Sequence, residues 1–162
     1  WLAIRGAEYP PIHRLDSSTG DDPALPQGTK WLILDSPAGL HGKNLAHALK
    51  VAQKVLIPVQ PSIFDMATRT FLEALLNEKS VRRHKKFIGI VGMRVDARTR
   101  AAATLEAFLA QFGLPVVANL RDTQIYANAA FGGKSIFDLP AYAGGHDVEQ
   151  WKPLLDWVLD EN

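Results

Sequence analysis

Four short runs of apolar residues divide the chain, at residues 31–34, 55–59, 87–91 and 116–120. None of them alternates polar with apolar positions, and such continuous runs are typical of strands buried on both faces of a parallel sheet. Apolar residues recur at helical spacing in the segments between and after them, over 45–52, 64–75, 101–112 and 148–159. This alternation of strand and helix predicts an α/β fold whose mostly parallel sheet is sandwiched by helices.

Local signals predict where several elements begin and end. Gly113 lies where the third helix should end. Asp147 is predicted to cap the last helix, with Gln150 completing a capping box. Residues 16–30, rich in Ser, Gly and Pro, predict a long loop, and residues 12–15 predict a short edge strand.

Composition narrows the class of protein. The chain has 162 residues, of which 47% are hydrophobic and 22% charged, as expected for one globular domain. A formal net charge of +1 demands neither a nucleic-acid nor a membrane partner. The absence of cysteine excludes disulfides, thiol catalysis and cysteine-ligated metals, and it fits a cytoplasmic location. No apolar run is long enough to span a bilayer, and the five histidines lack the spacing of a metal site.

The predicted architecture indicates where a ligand should bind. Open parallel sheets bind ligands outside the carboxyl ends of their strands, which here points to the loops at 35–42, 60–65, 92–98 and 121–127. Asp35 ends the first apolar run, where a carboxylate can hold a Mg²⁺-bound water beside a phosphate. Gly39 can offer its backbone N–H to a γ-phosphate. The alternative is that Asp35 only caps the following turn.

Four motifs follow the four apolar runs. They read D-S-P-A-G at 35–39, P-V-Q-P-S-I-F-D at 58–65, V-G-M-R-V-D at 91–96, and L-R-D at 120–122 with G-K-S-I at 133–136. In this order and spacing, the set resembles the ParA/MinD family of partition ATPases, which carry a deviant P-loop. The resemblance runs over residues 31–136, and it implies a P-loop NTPase-like fold of the deviant Walker class.

The resemblance also implies an activity. The family binds ATP with Mg²⁺, dimerises in the ATP-bound state, and separates on hydrolysis. By this resemblance Asp35 positions Mg²⁺ and water, Gly39 senses the γ-phosphate, and two later loops flank the base. The implied nucleotide-binding residues are Asp35, Ser36, Pro37, Met93, Arg94, Asp96, Leu120, Arg121 and Asp122.

Partners are implied in the same way. The cargo would be a chromosome, a plasmid or a protein cluster, and a partner protein would stimulate hydrolysis. Members of this type bind DNA without sequence preference through surface Lys and Arg, a mode that depends strongly on salt. The candidate DNA contacts are Arg98, Arg100 and Lys134, and simple surface charge is the alternative for each of them.

Two departures from the family pattern matter. The glycine-rich segment K-G-G-x-G-K-[ST] does not occur in residues 1–162, and the chain begins at Trp1. We therefore expect a single ParA-like domain over 1–162 that lacks its N-terminal strand–P-loop–helix unit. Met93 stands where the family often has asparagine, and a thioether cannot hydrogen-bond as an amide does. The G-G-K-S stretch at 132–135 is no substitute, because Asn128 stands where a P-loop requires glycine.

Two other functions remain open from the sequence. The first is a non-catalytic relative of the ParA family that serves as an interaction module. The second is another enzyme of the same nucleotide-binding class, such as an ATP-dependent ligase or a metal-cluster reductase. The absence of cysteine argues against the reductase, and the motifs at 35–39 and 58–62 favour partition ATPases over ligases.

Overall fold

The computed structural model describes residues 1–15, 25–37, 40–61, 66–79, 81 and 87–160. Its centre is a parallel sheet with strand order β1–β2–β3, formed by Lys54–Val59, Phe87–Met93 and Val116–Leu120. The α-helices of the described residues are α1 (Gly42–Val51), α2 (Met66–Asn77), α3 (Arg100–Ala110), α4 (Ile125–Phe131) and α5 (Ala141–Leu159). Two 3-10 turns lie at Leu2–Ile4 and Ile136–Asp138. The chain is therefore an α/β protein, as the sequence predicts.

The central strand β2 separates two apolar layers. Its residues 88–92 are all buried, as a continuous apolar run predicts. Ile90 lies in a cluster with buried leucines of α1, α2 and α3. Val91 lies in a second cluster with Leu154 of α5. Side chains alternate between the faces of a strand, so helices cover this part of the sheet on both sides.

The close packing of α5 depends on a glycine in β2. An ideal Cβ on Gly89 would lie 2.8 Å from Cγ1 of Val117 and 3.1 Å from Cζ2 of Trp157. Both distances are shorter than ordinary carbon–carbon contacts. The missing side chain at Gly89 therefore sets how closely the α5 tryptophan approaches the sheet.

The N-terminal segment is fastened to the connection between α4 and α5. Arg5 Nη1 lies 2.9 Å from Oδ2 of Asp138, and both side chains are only 8% exposed. The same Asp138 oxygen accepts hydrogen bonds from the backbone N–H and the hydroxyl of Ser135, each at 2.7 Å. Trp1 adds a hydrogen bond from Nε1 to the carbonyl oxygen of Lys134, at 3.0 Å. These contacts join residues about 130 positions apart in the sequence.

The strand predicted at residues 31–34 is wrong. These residues form no ladder, and their side chains are exposed, up to 90% for Ile33. A strand needs a neighbouring strand for its backbone hydrogen bonds. Among the described residues, the only strand that pairs with β1 is β2, so nothing pairs with residues 31–34 at the free edge of β1. For the same reason the edge strand predicted at 12–15 does not form. Of the loop predicted at 16–30, residues 25–30 lack regular structure, and 16–24 lie outside the described residues.

The predicted start of the last helix is also wrong. Helix α5 begins at Ala141 rather than at Asp147, which lies in its second turn with no exposed surface. Gly144 and Gly145 weaken the helical signal before Asp147, because glycine disfavours helix interiors. Packing overrides this preference, since Gly144 is buried and an ideal Cβ there would lie 3.0 Å from the carbonyl oxygen of Ile136.

The remaining helix and strand predictions are confirmed for the described residues, and α2 covers the segment predicted at 64–75 except for 64 and 65, which lie outside them. Strands β1 and β3 cover the apolar runs at 55–59 and 116–120, and α1 and α3 overlap the periodic segments at 45–52 and 101–112. In the part of the chain that the structure describes, no helix is both long enough and apolar enough to cross a bilayer.

Candidate functional site

An open cleft lies at the carboxyl ends of the three strands. It has a volume of about 330 Å³ and is lined by Gln60, Pro61, Arg94, Ala101 and Asp122. These residues follow β1, β2 and β3 or lie in the first turn of α3. Because the strands are parallel, their carboxyl ends meet at one edge, the position at which open α/β sheets bind ligands. The volume is within the lower range of small-molecule sites.

Two charged side chains meet across this cleft. Arg94 Nε donates a hydrogen bond to Oδ1 of Asp122 at 2.9 Å, and the side chains are 58% and 61% exposed. Such an exposed pair contributes little to stability, because water competes for both charges. Arg94 also adopts a left-handed backbone conformation, with φ of +57°. This conformation is unfavourable for residues other than glycine and is enriched at binding sites.

Arg121, which precedes Asp122, is held by two side chains of α5. Arg121 donates from Nε and Nη2 to the two carboxylate oxygens of Asp147, each at 2.8 Å. Its backbone N–H donates to Oε1 of Gln150 at 3.0 Å. Asp147 and Gln150 are three positions apart, so they lie on one face of the helix. The hydrogen bonds from Arg121 hold the pKa of the Asp147 carboxyl below its ordinary value.

A tight turn after β2 sets the start of α3. Asp96 accepts hydrogen bonds from the backbone N–H and the guanidinium of Arg98, which hold the pKa of its carboxyl below the ordinary value. Thr99 then caps α3, because its side-chain oxygen accepts from the N–H of Ala102 at 3.2 Å. The cap fixes the first turn of α3, which contributes Ala101 to the cleft wall.

None of the described residues of the first predicted motif lines the cleft. Asp35, Ser36 and Pro37 are exposed in a segment without regular structure, and Gly39 lies outside the described residues. No described residue forms an ion pair with the carboxylate of Asp35. An exposed single carboxylate fits the way proteins hold the Mg²⁺ of a nucleotide, through water and phosphate oxygens. The described residues contain no group of three His, Cys, Asp or Glu side chains suited to a metal ion.

Two further predicted contacts have their side chains on the α5 side of the sheet. Met93 packs against the cluster that contains Leu154. Leu120 is 2% exposed in that cluster, and its carbonyl oxygen accepts from the N–H of Val95 at 3.0 Å. Leu120 therefore shapes the edge by packing and through its main chain.

The predicted DNA contacts lie in two different segments. Arg98, 89% exposed, lies between β2 and α3, and Arg100 is the first residue of α3. Lys134 follows α4, and its Nζ lies 5.8 Å from the centre of the Tyr9 ring. Arg98 is engaged with Asp96. Arg98 and Arg100 thus lie in the segment between the cleft residues Arg94 and Ala101, whereas Lys134 lies against the N-terminal segment.

Sequence reasoning missed three contributors to this edge. Ala101 lines the cleft, but nothing distinguishes it in sequence from other alanines of an amphipathic helix. Asp147 and Gln150 were assigned to helix capping, a local role that the spacing suits equally well. Their contact with Arg121 spans 26 and 29 positions, and only the fold brings them together. In comparisons with known protein families and with curated protein sequences, nothing matched this chain.

Proposed function

We propose that the chain is a nucleotide-binding domain of the ParA/MinD type, with a P-loop NTPase-like fold, that hydrolyses ATP and dimerises in its ATP-bound state. One observation supports this most. The cleft at the carboxyl edge lies where the motifs at 91–96 and 120–122 meet, and Arg94 and Asp122 from these motifs face each other in it.

In this proposal, different residues contact different parts of the nucleotide. Arg94 and Asp122 offer a donor and an acceptor to the base and ribose in the cleft. Asp35 would hold the Mg²⁺ of the bound nucleotide through a water, and this ion supplies charge neutralisation at the phosphates when it is bound. The Gly39 N–H would donate to the γ-phosphate, as the family resemblance implies.

Calorimetric titration of the natural protein with MgATP tests this proposal. Arg94→Ala should weaken MgATP binding by several fold, whereas Lys152→Ala should not, because Lys152 lies on the exposed face of α5. Asp35→Asn should lower the rate of phosphate release by at least about 100-fold, because it removes the carboxylate proposed to hold Mg²⁺. Asp156→Asn is its control, since it removes an exposed carboxylate of α5. A natural protein that binds no MgATP would exclude the proposal.

DNA binding forms a separate part of the proposal. With ATP present, the double charge reversal Arg98→Glu/Arg100→Glu should weaken binding to duplex DNA of any sequence, and so should Lys134→Glu. The matched control is Lys43→Glu/Lys50→Glu, which reverses two exposed charges of α1. Equal losses in both double variants would assign DNA binding to net charge rather than to these residues.

A non-catalytic interaction module is the second candidate, and the exposed apolar segment 31–34 favours it. Trp31, Leu32, Ile33 and Leu34 are 59%, 48%, 90% and 51% exposed. Contiguous exposed apolar residues are typical of interaction surfaces. Sedimentation experiments can measure whether the protein associates with a second copy of itself. If the natural protein binds no MgATP, and Ile33→Glu abolishes this self-association, the interaction module replaces the ATPase as the proposed function.

A further inference from the structure

We propose that Asp147 is a positioning residue of the nucleotide site, which holds the Arg121 guanidinium so that it can hydrogen-bond a nucleotide bound at the carboxyl edge. This inference rests on the proposed function and assigns a role to a helix that follows the last strand. Asp147 itself would not touch the nucleotide, because its side chain has no exposed surface.

The hydrogen bonds of Arg121 leave part of its guanidinium available. A guanidinium has five N–H groups, and Asp147 accepts from two of them, on Nε and Nη2. No described residue accepts a hydrogen bond from the other three. The side chain is 41% exposed, so these donors can reach a ligand.

Two side chains of α5 fix the position of this arginine. Gln150 accepts the backbone N–H of Arg121, and Asp147 accepts its side chain in a two-point contact. A two-point contact with a carboxylate fixes the plane of the guanidinium as well as its position. Arg121 directly precedes Asp122, which lines the cleft. Its donors are therefore held in one orientation at the carboxyl end of β3, on the residue next to Asp122, before any ligand arrives, and this preorganisation lowers the entropy lost on binding.

Stability alone accounts poorly for a carboxylate at this place. Buried ion pairs are weak contributors to stability, and apolar residues of similar volume often stabilise a protein equally well. The neighbours of Asp147 on α5 include apolar residues that pack onto the sheet, such as Leu154 and Trp151. A charge at position 147 instead confers a defined orientation on Arg121.

A double-mutant cycle on MgATP affinity in the natural protein tests this inference. The four proteins are the wild type, Arg121→Ala, Asp147→Asn and the double variant, each titrated at a temperature where circular dichroism shows it folded. Asparagine preserves the shape of the side chain but loses its charge and one acceptor. We expect about tenfold weaker binding for each single variant, the effect of one well-placed hydrogen bond to a charged group. The double variant should bind no more weakly than Arg121→Ala, because Asp147 acts only through Arg121.

Each other outcome contradicts a defined statement. If the wild type binds no MgATP, the proposed function fails. If the wild type binds and Asp147→Asn binds equally well, the proposed function stands and the positioning role is overturned. An Asp147→Asn effect that persists in the Arg121→Ala background also overturns it, since Asp147 would then act by another route.

A structural role would give a different pattern. If the pair only fastens α5 to the end of β3, the apolar replacement Arg121→Met/Asp147→Leu should restore folding and bind MgATP with the wild-type affinity. Our inference expects this variant to fold and to bind about tenfold more weakly. Where Asp147→Asn does not fold, wild-type affinity of this variant still overturns the inference, because neither residue would then contribute to MgATP binding.

Discussion

Replacing Asp138 with asparagine removes the negative charge from the contact that fastens the N-terminal segment to the connection before α5. The Asp138 carboxylate accepts from Nη1 of Arg5 at 2.9 Å and from the hydroxyl and N–H of Ser135 at 2.7 Å. Asparagine has one acceptor oxygen in place of two and offers an NH₂ group to donors that cannot accept it. The guanidinium of Arg5, with a side chain only 8% exposed, then lacks its countercharge.

The expected loss of stability follows from this burial. Removing one member of a buried ion pair costs about 3–5 kcal/mol. Because both side chains retain some exposure, we expect the lower value, about 3 kcal/mol in the free energy of unfolding at neutral pH. For a chain of this length, that corresponds to a melting temperature lower by about 6–12 °C.

The loss of stability in Asp138→Asn should become smaller in acid. The hydrogen bond from Arg5, together with those from Ser135, holds the pKa of Asp138 well below its ordinary value. A carboxyl with a lowered folded-state pKa stabilises the fold above its unfolded-state pKa, about 3.9, and loses this contribution as the pH falls through the folded-state value. The stability difference between the wild type and Asp138→Asn should therefore be full at pH 7 and shrink progressively below about pH 4.

Urea denaturation followed by circular dichroism, repeated from pH 7 to pH 2, measures this difference. Asp156→Asn is the control, because its carboxylate is exposed on α5 and its removal should leave the midpoint nearly unchanged. Adding Arg5→Met to Asp138→Asn should recover part of the loss, since no buried charge then lacks a partner. Equal midpoints for wild type and Asp138→Asn at pH 7, or a difference independent of pH, would refute the reasoning.

Three further predictions concern single positions. Gly89→Ala should destabilise the fold by about 1–3 kcal/mol in urea, because its Cβ would lie 2.8 Å from Cγ1 of Val117. Gly145→Ala is the matched control: its Cβ would lie in open space, so it should stabilise α5 by about 0.5–1 kcal/mol. Lys54→Met should lower the melting temperature, because it removes the ammonium that donates to two carbonyl oxygens at the end of α5, a contribution of about 1 kcal/mol. An unchanged melting temperature would show that these hydrogen bonds do not stabilise the end of the helix. Arg94→Gly should be about 1 kcal/mol more stable to urea than Arg94→Ala, because φ at this position is +57°, and equal stabilities would argue against backbone strain there.

The apolar pattern predicted those elements whose pairing lies within the described chain. In the run at 87–91, residues 88–91 are buried because β1 and β3 flank the strand and helices cover both of its faces. The run at 31–34 has the same pattern, but no described strand pairs with it, so it remains exposed. Apolar periodicity reports which residues favour burial; it carries no information about whether a partner strand is present.

The location of the candidate site could be predicted from the sequence, but the contacts and backbone conformations that hold its residues in place could not. The rule for parallel sheets places a cleft after the strands, and Arg94 and Asp122 line it. The left-handed backbone of Arg94 has no signal in sequence, since it arises from the turn between β2 and α3. The partner of Arg121 was equally hidden, because Asp147 has the spacing of a helix cap and becomes a buried ligand of the guanidinium only when α5 packs on the sheet.

The two arginines at the edge differ in how firmly they are held, and for the proposed nucleotide site this difference predicts distinct roles. Arg94 pairs with Asp122 at an exposed position, where an ion pair contributes less than about 1 kcal/mol, so either side chain can exchange its partner for a ligand at little cost. Arg121 is anchored by a fully buried carboxylate and by its own main chain, so it keeps its orientation in the free protein. The cleft is thus lined by the adjustable cation, and the fixed one follows β3 directly before the cleft residue Asp122. If a nucleotide binds at this edge as proposed, we expect the fixed arginine to favour selection among ligands and the adjustable one to favour closure around the ligand that is selected.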